Sequence, residues 1–127
     1  MTYVKNSGKS VEEAARDLQA AVERHGFGVL HTYDLTRTLE GKGYPIAREC
    51  RIFEVCNPGQ AQAVLSHDME LNMALPCRVS VYESSEGTRI GMIPPTDVLG
   101  LISDSPELSE VAGEVEEAIR RMIDEAA

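Results

Sequence analysis

Apolar and polar residues recur along this chain with two periods, and the places where the period changes mark its elements. Val11, Ala14, Ala15, Leu18, Ala21 and Val22 follow helical spacing, which predicts a first helix with one apolar face. Ser10 with Glu13 three positions on forms a capping box at its start, and Gly26 after His25 supplies a left-handed end. A longer stripe, Leu108, Val111, Ala112, Val115, Ala118, Ile119, Met122 and Ile123, predicts a C-terminal helix. It opens at Ser105-Pro106-Glu107 with a cap, a proline at the first position and an early acid. Glu12 with Arg16, Glu116 with Arg120 and Glu117 with Arg121 are spaced to pair on the outer faces of these helices.

Strand-like stretches fill the space between. Met1 to Asn6 reads as a short first strand and Phe27 to Tyr33 as a second. Ile46 to Cys56 reads as a third, with Cys50, Ile52, Glu54 and Cys56 on one face and Arg51, Phe53 and Val55 on the other. Glu54 is then either exposed or an inward acid. Arg78 to Glu83 alternates, turns through the polar loop Ser84-Ser85-Glu86-Gly87 and returns through Thr88 to Ile93, a hairpin that Pro94-Pro95 ends. Shorter helical pieces are expected at Leu35 to Glu40 behind an Asp34 cap, at Ala61 to Ser66 and at Thr96 to Ile102. Met69 to Ala74 reads as a loop. The polar insertion bounded by Gly41-Lys42-Gly43 reads as a plain connection, with a lid over a pocket as the functional alternative. Two amphipathic helices over one sheet make a two-layer α+β fold, a single domain across residues 1–127.

Length and composition fit that picture. A chain of 127 residues can bury one core without staples, and 43% apolar with 26% charged residues is ordinary globular usage. The formal charge of −9 repels phosphate backbones, so no nucleic-acid partner is expected; Arg48 with Arg51 and Arg120 with Arg121 lack accompanying stacking aromatics. No apolar run is long enough to span a membrane, and Met1 to Asn6 lacks the pattern of a signal peptide. A cytoplasmic location is the expectation. Three cysteines do not make a disulfide framework and are expected as free thiols.

Candidate chemistry centres on two of them. Cys56 ends the third strand just before Asn57-Pro58-Gly59-Gln60, which carries an Asn cap, a proline at the first position and Gln in the capping-box place. The partial positive charge of a helix start lowers a thiol pKa and attracts anions. Cys77 opens the hairpin after Pro76.

At Gly26-Phe27-Gly28-Val29, Cys56-Asn57-Pro58 and Leu75-Pro76-Cys77-Arg78-Val79-Ser80-Val81-Tyr82-Glu83 the chain resembles the domain-of-unknown-function 302 family, from the helix at Val11 to the last helix. The resemblance implies a mixed five-stranded sheet with two main helices, in the order strand, helix, four strands, helix. It also implies a homodimer, and it implies no activity.

The expected function is a ligand-binding or assembly module without classical catalytic machinery. A small anionic or apolar molecule would sit by the helix start at Cys56, Asn57 and Cys77. No G-x-S-x-G elbow, glycine-rich phosphate loop or HExxH occurs, and no cofactor follows from the sequence. The alternative is a thiol protein in which Cys56 and Cys77 form a reversible disulfide, carry sulfur or bind a soft metal, with His67 or His31 adding a nitrogen ligand.

Overall fold

The computed structural model describes all 127 residues. In chain order the elements are β1 (Tyr3–Ser7), α1 (Val11–Arg24), β2 (Gly28–Asp34), α2 (Leu35–Gly41), β3 (Cys50–Cys56), α3 (Pro58–His67), a 3-10 segment (Met69–Ala74), β4 (Cys77–Ser84), β5 (Gly87–Met92), α4 (Pro95–Gly100) and α5 (Pro106–Ala126). The two-layer α+β expectation holds. The sheet runs in the order β1-β5-β4-β3-β2, and every neighbouring pair is antiparallel.

Antiparallel pairing throughout corrects the mixed sheet implied by the family resemblance. β1 and β2 do point the same way, because α1 carries the chain across between them. That crossover spans the whole sheet and leaves them on opposite edges, where no parallel ladder can form.

Local chemistry explains the elements. Both halves of the Ser10 and Glu13 capping box are made at the start of α1. At its end the Gly26 and Phe27 amides donate back to the carbonyls of Glu23 and Val22, and Gly26 takes φ 76° as this ending requires. The stripe of α1 packs with Ile119, Met122, Ile123 and Ala126 of α5 against Phe53, Val55, Val79, Val81 and Ile90. This is the main core.

Several local expectations shift. β3 begins at Cys50 rather than Ile46, because residues 42–48 are exposed and have no strand beside them. The hairpin loop tightens to Ser85-Glu86, since Ser84 pairs with Gly87, whose φ of 111° suits glycine. The Ser105 hydroxyl donates to Glu107 Oε2 instead of capping α5. Glu117 pairs with Arg121 as spaced, but Glu116 accepts from the Thr96 amide and hydroxyl, and Arg120 lies 4.4 Å over the Tyr3 ring. Met69–Ala74 is a 3-10 turn rather than an irregular loop.

A second, smaller core lies past the end of the sheet. Val64 of α3, Leu71 of the 3-10 segment and Leu99 of α4 pack on Leu108 and Ala112. α5 is about 31 Å long at 1.5 Å per residue, so its C-terminal half covers the sheet and its first turns overhang the edge. α3, the 3-10 segment and α4 gather under that overhang.

Candidate functional site

Between the sheet end and these short helices is a cavity of about 230 Å³. β3 contributes Val55 and Cys56 at its last positions, and the start of β4 contributes Cys77 behind the cis Leu75-Pro76 peptide. α3 adds Gln60, Ala61, Val64 and Leu65, α4 adds Leu99, and α5 adds Val111, Ala112 and Val115. Thirteen of its eighteen lining residues are hydrophobic, and none is Lys, Arg, His, Asp or Glu. The site thus brings together Cys56, Asn57 and Cys77, the three candidates singled out in the sequence.

It gives them a setting unlike the one the helix start suggested. Asn57 caps α3, its Oδ1 accepting from the Gln60 amide at 3.1 Å. Gln60 does not complete a capping box: its Nε2 reaches Glu114 on α5 instead, at 3.4 Å. Burial pushes the Cys56 thiol up, against the lowering expected from the helix start. Cys77 is pushed up to about 11 by burial and, secondarily, by the neighbouring Cys56. Both thiols are free and favour the protonated form.

Cys50 stands at the other end of β3, roughly 20 Å away along the strand, with its thiol also raised by burial and by Asp34. His67 ends α3, exposed and outside the cavity wall. His31 lies on the edge strand β2, its ring edge-on to Tyr33 with centroids 4.4 Å apart. No group of three or more His, Cys, Asp or Glu side chains is placed to hold a metal ion. The α2 insertion follows Asp34, at the sheet end opposite Cys56, so it does not cover this cavity.

Across the wall formed by Leu75, Pro76, Cys77, Pro95 and Leu99 lies a wider groove of about 610 Å³ that runs from Ile119 of α5 past α4 onto the sheet face away from α1. A row of residues in register runs over that face from edge to edge: Val4, Gly91, Ser80, Ile52 and Tyr33. Glu54 lies here, half-buried, and accepts from the Tyr33 hydroxyl at 3.0 Å. Gly91 is required in the row, because a Cβ there would stand 2.8 Å from Val4 Cγ2 and 3.0 Å from the Tyr3 carbonyl oxygen.

Sequence reasoning missed the contribution of α4 and of the start of α5 to this site. Its one signal was in the stripe of α5, which begins at Leu108 and so is longer than the sheet can cover.

Fold and site define a class: a two-layer α+β domain with one fully antiparallel sheet and an uncharged apolar cavity at its end. Residues 3–126 match the family described as Domain of unknown function DUF302, and the chain belongs to that family. It is similar over its whole length to the crystal structure of an uncharacterized conserved DUF302 protein from Bacillus stearothermophilus. The two are 31% identical with a TM-score of 0.93, over 99% of this chain and 98% of that one. No curated protein matches it. No helix is long and apolar enough to cross a membrane.

Proposed function

We propose that the protein is a binding module for a small, mainly apolar molecule, held in the cavity between the sheet end and α3, α4 and α5. The observation that carries this is the uncharged lining around 230 Å³. An apolar cavity of about 150 Å³ stays dry and takes benzene, and drug-sized sites run to roughly 300–1,000 Å³, so the ligand is small. The anionic ligand considered from the sequence finds no cation in the wall. Titrating the protein with toluene tests the reading by amide chemical shifts. Movement confined to residues such as Val64, Leu99 and Val115, lost in Val111→Phe, is expected. Saturating toluene that moves none of them overturns it.

The thiol alternative has one observation in its favour, the shared cavity of Cys56 and Cys77. Burial of both thiols works against it. In the binding reading they serve as small apolar groups of the wall.

The assembly component of the reading is a homodimer through the bare sheet face. Glu54 and Arg78 are directly opposite each other on that face, and neither forms an ion pair within the chain. A two-fold axis through the face would set each against its counterpart, the self-complementarity that such an interface needs. Exposed Val4 and Tyr33 add apolar area. Light scattering should give twice the chain mass, a monomer for Arg78→Glu, and recovery when Glu54→Arg is added. A monomeric wild-type protein at high concentration rules the dimer out.

A further inference from the structure

The cavity wall has little polarity, and the chain's own hydrogen bonds decide which atom of each wall amide stays free. Asn57 spends its Oδ1 on the α3 cap, which fixes the amide and leaves Nδ2, a donor, without a partner in the chain. Nδ2 is not among the buried polar atoms that lack a partner, so it stays accessible. Asn72 is fixed in the opposite sense. Its Nδ2 donates to the Met69 carbonyl at 2.5 Å, leaving Oδ1 as the free atom, an acceptor, on an exposed residue of the same wall. Gln60 offers nothing further, because its Nε2 is turned to Glu114 and its Oε1 is sealed in the protein.

We infer that the ligand is uncharged, with an apolar body and a neutral polar group that accepts from Asn57 and donates to Asn72, as a hydroxyl or a carboxamide does. This rests on the binding reading above and specifies its ligand class. A carboxylate could accept from Asn57 but has no proton for Asn72 and no cation to replace its water. An ammonium could donate to Asn72 but meets no carboxylate. Either charge would give up part of its water at an apolar wall that holds no counter-ion, a cost that a hydroxyl avoids. A hydrocarbon enters freely and leaves both amides without their bonds.

The test is a matched set at pH 7.5: octane, octan-1-ol, octanamide, octanoate and octylammonium, read by calorimetry and amide shifts. The alcohol and the amide should bind roughly tenfold or more tightly than either ion and several-fold more tightly than octane. Asn57→Asp keeps the cap acceptor and so the fold, but it removes the donor and adds a charge. It should weaken octan-1-ol roughly tenfold more than it weakens octane. Octanoate or octylammonium binding as tightly as the alcohol would overturn the inference, and so would an Asn57→Asp variant that binds octan-1-ol unchanged. If octane binds and the polar group adds nothing, the apolar site stands and this ligand class fails; if no member of the set binds, both fail.

Discussion

Cys77 stands directly across the β3–β4 ladder from Val55, and this pairing fixes the environment of its thiol. Directly opposed residues share a sheet face. Val55 faces the helices, so Cys77 does too, in one row with Val79 and Val81. A thiol in that position is packed as a hydrophobe and held protonated, although the same residue borders the cavity.

Thiol reactivity follows from that burial. At pH 7.5 all three cysteines should react slowly with a disulfide reagent in the native protein, Cys77 slowest, and rapidly in denaturant. Stopped-flow labelling of wild type and of variants with one cysteine at a time replaced by alanine measures it. A fast phase at Cys56 that disappears in Cys77→Ala would instead support the redox pair.

Stability should carry a matching alkaline signature. The folded pKa of Cys77 is raised from 9.0 to about 11, so the folded state holds its proton more firmly than the unfolded chain does. The stabilisation is complete below about pH 9 and is lost as pH rises from there through 11, by an amount on the order of 3 kcal/mol. Urea melts of wild type and Cys77→Ala should converge across that window. Parallel pH dependence of the two would show that the thiol does not titrate as described.

The two helix starts should answer differently to the same change. Ser10→Ala removes a real cap and should cost about 1 kcal/mol, whereas Ser105→Ala removes only a contact with Glu107 and should cost a few tenths. Equal losses in thermal melts would mean that Ser105 caps α5 after all.

Gly91→Ala should loosen the β1 edge. The added methyl meets Val4 and the Tyr3 backbone, and overpacking of this kind costs roughly 1–3 kcal/mol. Hydrogen exchange should quicken at β1 amides before those of β3. Pairing Gly91→Ala with Val4→Ala should recover part of the loss, since the closest clash is with the Val4 side chain.

Leu71→Ala probes the small core beneath the cavity. Leu71 is fully buried there, and its truncation should cost about 2–5 kcal/mol. Amide exchange should rise first in α3 and α4, which pack chiefly on α5 and the 3-10 segment. Uniform loss of protection through the sheet would show that the two cores unfold as one.

The sequence by itself determined what depends on near neighbours. The Ser10 box, the Asn57 cap, the stripes of α1 and α5 and the alternation of β3 all act within a few residues, so their spacing carries the information. So do the family signature and the prominence of Cys56, Asn57 and Cys77. Tertiary structure decided what those pieces do together. Whether β1 and β2 meet depends on how far α1 carries the chain, and that distance put them on opposite edges. Whether Cys56 is activated depends on what surrounds it; partial burial at the cavity raised a pKa that the helix start alone would have lowered. The cavity, too, exists because α5 outruns the sheet and three short helices close the gap. No local pattern encodes a space bounded by elements more than fifty residues apart.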